Sequence, residues 1–140
     1  MAPDGDAHRK ALQEVGLRVT PGRMAVLSVM TKTNQPLTHN EVMERLAESS
    51  FDRATIYRNL AALTEAGLLR RMDVGDHRWR YELTARSEPS NAHAHFVCTD
   101  CGTVQCLEDL ALEMQRISGI QRSAKHPVEV QLRGLCTECG

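Results

Sequence analysis

The sequence predicts an α+β fold in two parts. A helical segment closed by a β-hairpin comes first, and a shorter mixed segment built around a four-cysteine metal knuckle follows. Three observations carry this. Before residue 67, apolar residues recur at helical spacing in runs opened by capping residues. Residues 68–72 and 78–83 then read as two strands joined by the turn Val74-Gly75-Asp76-His77. All five cysteines lie at or beyond Cys98, and four of them form two Cys-x-x-Cys pairs separated by 34 residues.

Residues 7–15 carry a weak helical pattern that stops at Gly16. Thr20-Pro21 reads as an N-cap followed by proline at the first helical position, with Met24, Val26, Leu27, Val29 and Met30 as the apolar face. Asn34-Gln35-Pro36 is a turn. Thr38, with Glu41 three residues on, makes a capping box for a third helix carrying Val42, Leu46 and Ala47 and ending at Ser49-Ser50. A fourth helix starts near Asp52 or Arg53; Ile56, Leu60, Leu63 and Ala66 keep the 3.6-residue period and Gly67 ends it. In the second strand Arg78-Trp79-Arg80-Tyr81-Glu82-Leu83 is expected to alternate between two faces. Helices followed by a hairpin make the pattern of a winged helix–turn–helix.

Residues 85–92 are polar with one proline and read as a hinge between domains at 1–84 and 93–140. Beyond it come strands near 94–98 and 103–107, a helix from 108 to about 118 with Leu110, Leu112, Met114 and Ile117, and a last strand alternating Val128, Val130 and Leu132 with polar residues.

Composition sets the outer limits. The chain has 140 residues, 41% of them hydrophobic, and a net charge of −1, which excludes a polybasic histone-like binder but not a local nucleic-acid patch. Residues 1–84 hold 12 Lys+Arg against 11 Asp+Glu, so any such patch depends on placement. No apolar run approaches the roughly 18 residues of a membrane helix. The N-terminus shows no secretory h-region, so a cytoplasmic protein is expected. Five aromatic residues make a modest core. In a reducing compartment the two cysteine pairs point to a metal, and four thiolates suit a closed, structural zinc site: Cys98, Cys101, Cys136 and Cys139. No nucleophile–base pair or phosphate-cradling loop suggests an enzyme.

The start of the fourth helix places Thr55, Tyr57, Arg58 and Asn59 where a helix–turn–helix presents side chains to base edges. Arginine can pair with guanine, and tyrosine can pack on a thymine methyl or reach a phosphate. Arg18, Arg23, Arg70, Arg71, Arg78 and Arg80 are expected to surround this surface.

Several stretches together resemble the ferric uptake regulator (Fur) family over nearly the whole chain: Gly16-Leu17-Arg18-Val19-Thr20-Pro21-Gly22-Arg23, Ala54-Thr55-Ile56-Tyr57-Arg58, Tyr81-Glu82-Leu83-Thr84, His93 through Gly102, and the closing Cys-x-x-Cys. The resemblance implies an N-terminal winged helix–turn–helix and a small α/β dimerisation domain carrying the zinc knuckle. It further implies a homodimeric repressor on an AT-rich inverted repeat. Tyr57 and Arg58 would contact bases, and Arg18 the minor groove or backbone.

A second cluster spans the hinge. Glu82 closes the wing strand, His93 and His95 share one face of the next strand, and Cys106 lies on its neighbour. These four can hold a divalent metal that fixes the angle between the two domains, as a ligand-biased switch requires. By resemblance, Glu82, His93 and His95 fall at the family's regulatory ligands. Iron- and peroxide-sensing members have a carboxylate where Cys106 stands and a histidine where this chain has Pro36; here the nearest is His39. Zinc-sensing members have a cysteine at Thr84. A thiolate beside two imidazoles favours zinc over ferrous iron. The expected regulatory metal is therefore zinc, with iron, manganese or peroxide sensing as the alternative and packing as the other role open to Cys106. His126, partnered by Glu113, is a candidate for a third site. His8 and His77 are expected to be solvated.

Overall fold

The computed structural model describes residues 3–84, 94–107 and 130–140, in two compact units, Met1–Thr84 and Ala85–Gly140. The hinge at 85–92, His93, the helix at 108–118, Glu113, His126 and Val128 lie outside the described residues.

In the first unit α1 (Pro3–Glu14) stops before Gly16, whose φ of 75° only glycine adopts freely. His8 is half-buried and not solvated; its Nε2 lies 2.9 Å from Thr31 Oγ1 and ties α1 to α2 (Pro21–Thr31). Thr20 caps α2 by accepting the Arg23 amide, with proline at the helix start.

Leu37–Thr38 forms a two-residue strand, β1, that the sequence did not announce. Thr38 then caps α3 (His39–Arg45) in the capping box with Glu41: the Glu41 amide donates to Thr38 Oγ1 and Glu41 Oε2 accepts the Thr38 amide at 2.8 Å. The helix ends at Arg45, short of Ala47, because Leu46 leaves the helical backbone. Asp52 caps α4 (Arg53–Glu65), which buries Ile56, Leu60 and Leu63 and stops before Gly67 at φ 85°. Strands β2 (Leu69–Asp73) and β3 (Trp79–Leu83) form the wing hairpin, with left-handed backbone at Gly75 and His77 in the turn.

The core of this unit is one apolar cluster: Leu12 from α1, Val26, Leu27, Val29 and Met30 from α2, Leu37, Val42, then Ile56, Leu60 and Leu63 from α4, with Leu69 and Tyr81 from the sheet. Burial raises the Tyr81 phenol above its ordinary value.

Strand β3 departs from its expected alternation. Arg80, Tyr81 and Glu82 are all buried, because β1 pairs with one edge of β3 (Leu37 with Tyr81, Thr38 with Arg80) while β2 covers the other. An edge strand of a hairpin has become the centre of a three-stranded sheet. Arg80 is thus not a surface residue: its Nη1 pairs with Asp76 at 2.8 Å and its side chain is 7% exposed. Burial pushes the Asp76 carboxyl up, but its bonds to Arg80 and to the Arg78 amide outweigh this and leave it below the usual range.

The described part of the second unit is a sheet in the order β5-β4-β6. Central β4 (Ala94–Cys98) runs antiparallel to β5 (Val104–Leu107) and parallel to β6 (Val130–Gly134). Ala94, His95, Val97, Cys98 and Val104 are buried, whereas Leu132 and Leu135 are exposed.

Candidate nucleic-acid interface and metal centres

The parallel pairing of β4 with β6 builds the thiolate centre. Cys98 ends β4 opposite Gly134 of β6, so both strands deliver their C-terminal ends, and the turns that follow, to one edge of the sheet. The Thr99 amide donates to the Gly134 carbonyl at 2.8 Å and the Cys136 amide donates to Cys98 Sγ at 3.4 Å, locking the two knuckles together. The four sulfurs of Cys98, Cys101, Cys136 and Cys139 all lie within 4.8 Å of one another. A tetrahedron of zinc–sulfur bonds of about 2.3 Å requires sulfurs about 3.8 Å apart. Cys101 and Cys136 sit at 3.8 Å, far beyond a disulfide bond, and all five cysteines are free.

Amides of Cys101 and Cys136 lower the Cys98 thiol to about 6. The Thr103 hydroxyl and amide lower Cys101, whereas the neighbouring sulfurs, Cys136 first, push Cys139 up. Crowded thiols that cannot all ionise together fit a cation that takes all four, and zinc is the metal this donor set suits.

The same sheet pairs His95 on β4 with Cys106 on β5 as direct cross-strand partners. Their ligand atoms lie within 4.8 Å, and His95 is 1% exposed. Glu82 stands in the first unit, where Arg70 Nη2 pairs with its Oε1 at 3.0 Å. No local pattern announces this ion pair, although register places Arg70 opposite Glu82 in the hairpin. Arg70 is therefore engaged within the hairpin and largely buried.

On the first unit, α4 projects Tyr57, 55% exposed, together with exposed Arg58, while Ile56 and Leu60 face the core. Arg18 is exposed, and its carbonyl accepts from Arg23 Nη1 at 2.7 Å. Thr55 is half-buried and engaged in the cap: its hydroxyl and amide both bond Asp52 and lower that carboxyl. Arg71 stacks on exposed Trp79, its guanidinium carbon 3.9 Å from the ring centroid.

One group was missed as part of this surface. His39 opens α3 with its ring centroid 5.7 Å from that of Tyr57 and its Nε2 3.1 Å from the Arg53 carbonyl. Arg53 Nη2 donates to Asn40 Oδ1 at 2.5 Å. His39, Arg53, Ala54, Tyr57 and Arg58 line a shallow hollow here. Burial lowers the His39 imidazole more than the Arg53 carbonyl raises it, and the Arg53 charge lowers it further. The sequence signal was the position of His39 just after a capping threonine, which brings it beside the next helix.

A winged helix with an exposed, cationic recognition helix, joined in one chain to a thiolate metal centre, defines a DNA-binding, metal-binding regulator. Residues 14–133 match the Ferric uptake regulator family, and the chain belongs to it. It is 25% identical over 138 residues to the peroxide-responsive repressor PerR of Staphylococcus aureus, covering 92% of this chain and 86% of that protein. Its fold matches the Vibrio cholerae ferric uptake regulator with a TM-score of 0.74 and 26% identity, covering 91% of this chain and 98% of that one. The Pseudomonas aeruginosa ferric uptake regulator with manganese matches at 0.67 and 27% identity, covering 90% and 96%. The protein is thus a metal-responsive transcription regulator and not an enzyme, of a family that binds DNA as dimers. Among the described residues no helix is long and apolar enough to cross a membrane.

Proposed function

We propose that the protein is a cytoplasmic, homodimeric, zinc-responsive repressor that binds an AT-rich inverted repeat when a regulatory metal is bound by Glu82, His93, His95 and Cys106. The domains are 1–84 and 93–140, with 85–92 as the hinge between them. Cys98, Cys101, Cys136 and Cys139 hold a separate, structural zinc. Arg18, Thr55, Tyr57 and Arg58 contact the DNA.

The observation that carries the metal assignment is the His95–Cys106 pair: imidazole and thiol face each other across adjacent strands, in surroundings that bury the histidine. A soft sulfur beside an imidazole suits zinc better than ferrous iron. Metal that ties Glu82 of one domain to ligands of the other sets the spacing of two recognition helices in a dimer. Coupling of this kind amounts to about 1–3 kcal/mol per ligand on the general allosteric scale.

The likeness to a peroxide-responsive repressor supports a second reading, in which iron or manganese fills the same site and Cys106 only packs. A DNA-binding titration separates the two. Protein with its structural zinc retained and its regulatory site emptied is titrated with zinc, ferrous iron and manganese at buffered free concentrations, beside Cys106→Ser. Zinc-driven binding lost in Cys106→Ser is the expected result. Binding driven equally by iron or manganese, and unchanged in Cys106→Ser, overturns it.

A further inference from the structure

We propose that His39, with Asn40, is a positioning element of the DNA-reading surface: a polar clamp from the first turn of α3 that fixes the aim of Tyr57 on α4. This rests on the reading of Tyr57 as a DNA contact.

Three contacts make the clamp, and all lie outside the apolar core. The His39 ring packs against the Tyr57 ring, tilted by 57° with centroids 5.7 Å apart, a geometry favoured between aromatic faces and edges. His39 Nε2, as the N–H tautomer, donates to the Arg53 carbonyl at 3.1 Å. Arg53 in turn donates to Asn40. Residues 39 and 40 therefore hold both the backbone at the first residue of α4 and the side chain one turn further on.

Tyr57 needs such a support. It is more than half exposed, and its neighbours Ile56 and Leu60 anchor the helix but leave the tyrosine ring free to rotate about χ1. Sequence-specific contacts depend on side chains held in one geometry before the DNA arrives, because ordering them on binding costs free energy. Non-specific attraction to phosphates depends on charge and tolerates a mobile ring. A clamp on Tyr57 therefore contributes to discrimination between sequences, not to general adhesion. The hollow lined by His39, Ala54 and Tyr57 opens on this same surface, beside the Arg58 side chain.

The test uses the full-length, zinc-loaded dimer and a duplex selected by it from a random-sequence pool, with an unrelated duplex as the non-specific probe. His39→Ala is expected to weaken binding to the selected duplex about tenfold while changing the non-specific affinity by less than about twofold. In combination with Tyr57→Ala it adds little to the loss caused by Tyr57→Ala alone. His39→Phe, which keeps a ring against Tyr57, is expected to retain most of the discrimination. Losses that multiply independently, or specific and non-specific affinities that fall together, overturn the clamp. Tyr57→Ala without effect on the selected duplex overturns the assignment of Tyr57 as a DNA contact, and the clamp with it.

Discussion

The two units of this regulator are held together by different physics. The first packs a contiguous apolar cluster drawn from four helices and a sheet, with side chains such as Leu12, Val26, Val42 and Leu60 fully shielded. In the described part of the second, the buried apolar side chains are small, chiefly Ala94, Val97 and Val104, and Leu132 and Leu135 face outward. What closes that unit is a cluster of four thiols at the edge of a parallel strand pair. The difference teaches that the DNA-reading unit rests on an apolar core, while the described sheet of the second unit carries a cluster of metal-binding thiols at its edge.

The largest test of that contrast is metal removal. Structural zinc in small thiolate sites contributes about 10–16 kcal/mol of apparent binding free energy at neutral pH. Stripping the zinc, or Cys136→Ser, should abolish protection of residues 94–107 and 130–140 in hydrogen exchange while residues 3–84 stay protected. Equal loss in both units would break the comparison.

The reciprocal experiment is Leu60→Ala in the first core, where truncation of a fully buried leucine costs about 2–5 kcal/mol. Thermal unfolding followed by helical circular dichroism should shift down, with the bound zinc per chain unchanged. A smaller effect is expected at Thr38, whose capping box ties β1 to α3. Thr38→Ala should cost about 0.5–2 kcal/mol and show the same confinement to the first unit.

The smallest effect is a pH dependence. His39 is held below its ordinary value in the folded protein, chiefly by burial, so the unfolded chain binds the proton more readily. Its contribution to stability is therefore present above the unfolded value near 6.5 and is lost as pH falls through the lowered folded value. The unfolding midpoint of the first unit should drop slightly over that interval, and His39→Phe should flatten this portion of the profile.

Much of this architecture was legible before any coordinates, for identifiable reasons. Capping chemistry is local, so Thr20-Pro21 and Thr38 with Glu41 marked their helix starts correctly, and the apolar period placed the start of α4 near Asp52 or Arg53. Cys-x-x-Cys spacing is equally local, and the four sulfurs do meet. What sequence could not show was pairing at a distance. The strand at Leu37–Thr38 is too short to carry a period, yet by covering β3 it buries Arg80 and removes an arginine from the expected DNA-facing set. The Arg70–Glu82 and His39–Tyr57 contacts are likewise products of register and helix crossing, which no single segment encodes. Arg18, Tyr57 and Arg58 are exposed, and Thr55 is half-buried with its amide bonded to Asp52.

The thiolate centre also has a consequence for the order in which the second unit assembles. Each knuckle closes on its own short-range turn: Gly102 bonds back to the Cys98 carbonyl, and Cys139 and Gly140 bond back to that of Cys136. Two half-sites can therefore exist, and begin to capture an ion, while the intervening chain is still searching. The β4–β5 hairpin is fast to form, whereas the parallel β4–β6 ladder must wait for a distant segment to return. An ion caught by one pair of sulfurs would give that returning segment a destination, so refolding of this unit is expected to quicken as the free metal concentration rises, which refolding in buffered metal would check.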